Sequence, residues 1–99
     1  MGKYNLTNKA IRDLSEIWNY ICDVWSEYQA DKYYHELIEH CRELAKNPQM
    51  GRRYDSILEK LQGFKANRHI IFYRVSRKDE IEIVRILHEK MDLKNRIKE

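Results

Sequence analysis

Residues 68–92 read RHIIFYRVSRKDEIEIVRILHEKMD. Ile70, Ile71, Phe72, Tyr73 and Val75 form one apolar run, and Ile81, Ile83, Val84, Ile86 and Leu87 form a second. Both are rich in β-branched and aromatic residues, which suit a pleated, half-buried surface. Ser76-Arg77-Lys78-Asp79-Glu80 between them is short and polar, so the stretch is expected to be a β-hairpin. An apolar hairpin is not stable alone in water and needs a cover on at least one face.

With Val75 opposite Ile81, a continuous register sets Arg74 opposite Glu82, Phe72 opposite Val84 and Ile70 opposite Ile86. Side chains alternate between faces along a strand. One face then carries Ile70, Phe72, Arg74, Glu82, Val84 and Ile86. The other carries Ile71, Tyr73, Val75, Ile81, Ile83, Arg85 and Leu87. The Arg74–Glu82 pair would contribute about 0.2–1 kcal/mol.

The cover comes from the first half of the chain. Lys3-Tyr4-Asn5-Leu6 alternates like a short strand, and Thr7 or Asn8 offers an N-cap. From Lys9 to Trp25 a helical stripe runs through Ala10, Ile11, Leu14, Ile17, Trp18, Ile21 and Trp25. Asp13 and Glu16 fall in its early turns, where the helix dipole favours anions. Ser26-Glu27-Tyr28-Gln29 is a capping box that opens a second helix. Its stripe takes Ala30, Tyr33, Tyr34, Leu37, Ile38, Cys41, Leu44 and Ala45 and ends at Asn47-Pro48. Almost no linker separates the helices, so they fold back as an antiparallel pair over one face of the sheet.

Farther on, Pro48 to Gly51 reads as a turn and Arg52 to Ser56 as polar loop or a single helical turn. Part of Leu58–Lys65 reads as a strand, and Asn67 as a left-handed connection. The expected fold is α+β, a helical hairpin on a small, mainly antiparallel sheet. One domain spans residues 1–99, with 93–99 a charged tail, mobile or loosely helical.

Composition sets outer bounds. With 35% charged and 42% hydrophobic residues the chain balances as a globular protein. A net charge of +3 is too mild to point to nucleic acid, and no sequence-specific nucleic-acid binding is expected. No stretch approaches the roughly 20 apolar residues of a membrane span. Met1-Gly2-Lys3 shows no signal-peptide pattern, and Leu6 stands where a myristoylation motif needs Ser or Thr. Cys22 and Cys41 lie on helical stripes and read as free thiols of a cytoplasmic protein.

No metal or cofactor is expected. His35 and His40 are five apart, off one helical face, and no Cys/His spacing suits zinc. His69 and His88 come near one another in the hairpin. An acid–base ribonuclease would need a base, cations on the phosphate and an acid for the leaving oxygen. Tyr73, Arg74, Arg85 and His88 have the right types, but packing of Tyr73 and pairing of Arg74 with Glu82 explain two of them. No catalytic residue is assigned.

The chain resembles the ParE toxins of the RelE/ParE toxin–antitoxin superfamily nearly from end to end. The likeness lies in Tyr4-Asn5-Leu6-Thr7, Ala10, Asp13-Leu14, Trp25 and Gln29-Ala30. It continues through Leu44-Ala45, Asn47-Pro48 and Gly51-Arg52. It is most specific in His69, Ile71-Phe72-Tyr73-Arg74, and Arg85-Ile86-Leu87-His88 with Met91-Asp92. Three positions depart from the pattern: Ser26 and Asn67 replace usual glycines, and Lys60-Leu61-Gln62 replaces a Gly-aromatic-Arg run.

The resemblance implies a ParD-like antitoxin as tight partner in a hetero-oligomer, and DNA gyrase as target, poisoned by binding. Arg85, His88, Met91 and Asp92, with the tail beyond them, are expected to be the target-binding end, because Arg85 is charged within an otherwise apolar face and the tail is polar. Trp18, Trp25, Tyr33, Tyr34 and Tyr73 are candidates for the antitoxin groove. The RelE branch, which cleaves mRNA on the ribosome, is the alternative, with a non-toxic antitoxin-binding relic as a third. That branch carries a catalytic Tyr near its C-terminus, and His88 to Glu99 contains none.

Overall fold

A computed structural model describes residues 2–99; Met1, part of the N-terminal pattern above, lies outside them. Strand β1 (Lys3–Leu6) leads into α1 (Asn8–Val24) and α2 (Glu27–Lys46). Then come β2 (Arg52–Arg53), β3 (Gln62–Ala66), β4 (His69–Arg77), β5 (Glu80–His88) and α3 (Leu93–Lys98). The sheet order is β1-β5-β4-β3-β2, with β1 parallel to β5 and every other pair antiparallel.

Local chemistry places the helices. Thr7 Oγ1 accepts from the Ala10 N–H at 3.0 Å, and Ser26 Oγ accepts from the Gln29 N–H at 3.1 Å. Each such cap is worth about 1 kcal/mol. Trp25 and Ser26 alone separate the helices, so α1 and α2 turn back on each other. Their inner stripes (Ala10, Leu14, Leu37, Cys41, Leu44, Ala45) close over Ile71, Tyr73, Ile81, Ile83 and Ile86 of the sheet.

The opposite face is covered as well. Leu61, Ile70, Phe72, Leu87 and Ile97 form a second core, with Tyr54, Ile57, Leu58, Val84 and Leu93 at its margin. Tyr54 meets Phe72 edge to face at 5.2 Å, and a Cβ on Gly63 would come within 2.7 Å of the Tyr54 ring. Gly63 thus leaves the room this packing needs.

The register departs from the continuous one. Val75–Ile81 and Arg74–Glu82 pair as expected, and Arg74 Nη2 lies 3.8 Å from Glu82 Oε1. Beyond them Tyr73 pairs with Ile83 and Phe72 with Arg85, so Val84 is an extra residue. This β-bulge shifts the rest of β5 by one position. Ile86 therefore turns to the helices and Leu87 to the far face, the reverse of the alternation. A second irregularity leaves Ser76 unpaired, and the strands run on to a two-residue turn at Lys78-Asp79, with Asp79 at φ 63°.

Asn67 takes the left-handed conformation at φ 57°, filling the place of the family's glycine. The polar segment after Gly51 holds the short strand β2, which has no apolar signature. Residues 93–98 form a helix capped by Asp92, and Ile97 is buried, so the helical option for the tail is the one observed.

Candidate functional site

α1, α2, the end of β5 and the approach to α3 enclose a groove of about 700 Å³. Ile17 and Ile21 of α1, with Ile86 of β5, give it an apolar lining. Tyr20 and Trp25 form a lip at the helical corner, 66% and 74% exposed. Trp25 is held there by its own N–H, which donates to the Ile21 carbonyl at 2.8 Å. Met91 also lines the groove, 41% exposed. The exit of β5 is fixed by the Glu89 N–H on the Arg68 carbonyl (2.9 Å) and the Met91 N–H on the His88 carbonyl (3.0 Å).

Tyr33, His69 and His88 lie on one side of the groove. The Tyr33 hydroxyl is 2.6 Å from His69 Nδ1, and the two imidazoles meet edge to face at 5.2 Å. The pairing of His69 with His88 across β4 and β5 brings them together, as the hairpin implied. Burial, reinforced by the neighbouring His88, pulls the His69 pKa down to about 4. His69 is therefore neutral near pH 7. Burial also pushes the Tyr33 hydroxyl above its ordinary range, so it keeps its proton. His88 Nδ1 accepts from the Lys90 N–H at 3.1 Å, which leaves the ring's Nε2 for solvent or a ligand.

The expected site residues divide. Trp25, Tyr33, Arg85, His88 and Met91 line the groove. Residues expected to touch two different partners thus meet on one concave surface. Arg85, however, is only 7% exposed. Its Nε and Nη2 donate to the Asp13 carboxylate at 2.8 and 3.0 Å, and its Nη1 donates to the Arg96 carbonyl at 2.7 Å. Arg85 is thus no free cation for a target; it ties α1 and α3 to β5. Asp13 is correspondingly not a solvent-facing dipole residue. It also accepts the Ile86 N–H at 3.0 Å, satisfying β5 beyond the reach of β1.

The other candidates lie elsewhere. Asp92 caps α3 by accepting the Asn95 N–H at 3.4 Å. Trp18 Nε1 donates to Asp31 at 2.8 Å, linking α1 to α2 outside the groove. Tyr34, 37% exposed, lies outside the groove and meets His35 edge-on at 6.0 Å. Tyr73 has no accessible surface, which rules it out of an antitoxin interface. Its hydroxyl accepts the Gly51 N–H at 2.9 Å and lies by the Pro48 carbonyl and Gln62 Oε1. The ribonuclease set therefore does not converge: Tyr73 is enclosed, Arg74 is beside Glu82, and Arg85 is held by Asp13.

Sequence reasoning missed Glu16, Tyr20, Glu36, Arg68 and Arg96 as groove residues. Tyr20 had a signal: an aromatic beside the Ile17–Ile21 stripe, one turn before a tight helical corner. Arg68 and Arg96 had none, because only the tertiary fold brings them to this groove. Among the described residues no group of three or more His, Cys, Asp or Glu is placed to hold a metal ion. No helix among the described residues is long and apolar enough to cross a membrane. The groove suits a peptide segment that is apolar on one side and charged at its margins.

Comparison with known proteins agrees with this architecture. The profile of the family described as "ParE toxin of type II toxin-antitoxin system, parDE" matches residues 4–93. A curated relative, Toxin ParE1 of Mycobacterium tuberculosis, is 37% identical over 92 residues, covering 93% of this chain and 94% of the relative. Toxin ParE1 of Caulobacter vibrioides is 33% identical over 92 residues, with the same coverage of 93% and 94%. A chain of the chromosomal ParDE system of P. aeruginosa superposes with a TM-score of 0.75 at 22% identity, over 89% of this chain and 95% of that one. A chain of the toxin–antitoxin complex RelBE2 from M. tuberculosis gives a TM-score of 0.67 at 18% identity, over 89% and 98%. These two structural likenesses are likenesses of fold.

Proposed function

Because this chain belongs to the ParE toxin family of type II toxin–antitoxin systems, we propose that it poisons DNA gyrase by binding and is neutralised by a ParD-like antitoxin. The family match over residues 4–93 carries the proposal, since gyrase is the target the family likeness implies. The toxin acts in the cytoplasm, has no reaction of its own, and is held in a hetero-oligomer until the antitoxin is lost.

The groove supplies a physical route to neutralisation. Trp25 and Tyr33, the antitoxin candidates, share it with His88 and Met91, the target candidates. An antitoxin segment seated between them covers the target end directly. The tight helical corner supports such a site, because exposed aromatic side chains on a rigid frame lose little entropy on docking.

Induced expression in a bacterium carrying a DNA-damage reporter tests the proposal. Growth arrest with the reporter switched on, relieved by the co-expressed antitoxin, is the expected result. Arrest with cleaved mRNA and a silent reporter would instead favour the ribosome-acting branch. Undisturbed growth would identify a relic.

A further inference from the structure

Four charges line the groove without an ion-pair partner within 4 Å among the described residues: Glu16, Glu36, Arg68 and Arg96. They are sorted by sign. Glu16 comes from α1 and Glu36 from α2, so the helical wall is acidic. Arg68 comes from the β3–β4 turn and Arg96 from α3, so the wall of sheet and tail is basic. Nearby charges are already committed: Asp13 to Arg85, Lys65 to Glu89 at 2.9 Å, and Lys9 to the Glu99 carbonyl.

We infer that the groove is keyed for an amphipathic segment of the antitoxin with a fixed polarity across its width, cations facing Glu16 and Glu36 and carboxylates facing Arg68 and Arg96. The inference rests on the reading of this chain as a toxin whose antitoxin occupies the groove. An apolar lining alone accepts many amphipathic segments, in either orientation. Opposed charged walls do not. A segment laid in the reverse sense sets like charges together at a partly desolvated margin, which disfavours both a wrong orientation and a wrong partner. His69 is neutral near pH 7, so the two guanidiniums, whose charge is fixed, dominate the basic wall.

The test titrates a dye-labelled, full-length ParD-like antitoxin with the full chain and follows fluorescence anisotropy. Three charge variants are compared: Glu16→Lys with Glu36→Lys, Arg68→Glu with Arg96→Glu, and all four together. Each pair is expected to weaken binding about tenfold at about 50 mM salt, with the difference narrowing near about 500 mM. The fourfold variant keeps the net charge of the natural chain yet reverses both walls. It is expected to bind more weakly than either pair. Glu16→Gln with Glu36→Gln, which keeps the side-chain volumes, should weaken binding about threefold. Melting curves identify any variant that fails to fold.

Tyr20→Asp with Trp25→Asp blocks the groove at two highly exposed positions that folding does not need. If this block abolishes binding while the charge variants bind like the natural chain, the keying is wrong and the groove remains the antitoxin's site. A fourfold variant restored to natural affinity would also overturn the keying, since net charge alone would then explain the pairs. If the blocked variant binds normally, the groove is not the antitoxin's site and the underlying reading falls.

Discussion

The Asp13 carboxylate and the Arg85 guanidinium form a two-pronged buried pair, at 2.8 and 3.0 Å, between residues 72 positions apart. Asp13 holds Arg85 in its charged form, raising its pKa above the ordinary arginine value. Breaking the pair leaves Asp13 buried without a cation, or Arg85 buried with only the exposed Glu99 carboxylate at 3.5 Å. Asp13→Ala or Arg85→Ala should each cost about 3–5 kcal/mol in urea denaturation. Arg85→Lys, which lacks the fork, should recover only part of this. Asp13→Leu with Arg85→Leu should cost less than the sum of the single changes to alanine. Exposed-residue effects below about 0.5 kcal/mol would show the pair to be unimportant.

His69 sets an acid limit on stability. It takes a proton near 6.5 in the unfolded chain but only near 4 in the fold. Between those values the unfolded chain binds more protons, so stability is full above about pH 6.5 and declines as the pH falls toward 4. The contribution is on the order of 1–2 kcal/mol after allowance for solvent contact. His69→Gln keeps an acceptor for Tyr33 and removes the titration. Denaturation curves at stepped pH should show a shallower decline for this variant than for the natural chain. Equal slopes would contradict the assignment.

Tyr73 is a structural residue. Tyr73→Phe strands the Gly51 N–H and removes the donor beside the Pro48 carbonyl and Gln62. The expected loss is about 1–3 kcal/mol, with antitoxin affinity unchanged once the chain is folded. A variant of natural stability but weaker antitoxin binding would restore Tyr73 to the interface.

The tail is part of the fold. A chain cut after Leu87 would be expected to lose toxicity and keep antitoxin binding if the last residues were a free appendage. The structure changes that expectation, because the cut removes His88, Met91 and α3 and uncovers the second core around Phe72. It also takes the Arg96 carbonyl from Arg85. Such a chain should unfold or aggregate. Ile97→Ala is the milder probe, with an expected cost of about 2 kcal/mol and faster hydrogen exchange across residues 93–98. Natural exchange rates there would mean that Ile97 does not hold α3 in place.

Local chemistry made much of this fold legible. The caps at Thr7 and Ser26, the end of α2 before Pro48, the left-handed Asn67 and the Arg74–Glu82 pair all depend on neighbours or on one hairpin. Strand alternation failed at Val84, because a bulge has no composition of its own and reverses every later side chain in the strand. Asp13 read as a residue favoured by the helix dipole and Arg85 as a charge on an apolar strand face, and neither sequence neighbourhood points to the other. The groove was half legible for the same reason. Its aromatic lip follows from the helical corner, whereas its basic wall joins a turn and a C-terminal helix that only the tertiary fold brings together.

The most direct measurement is supercoiling of relaxed plasmid by purified gyrase in the presence of the purified chain, scored for lost supercoils and for linear DNA. A gyrase poison should suppress supercoiling and yield linear product, and an added ParD-like antitoxin should reverse both. Normal supercoiling without linear DNA, from a chain that is folded and binds its antitoxin, would contradict gyrase as the target.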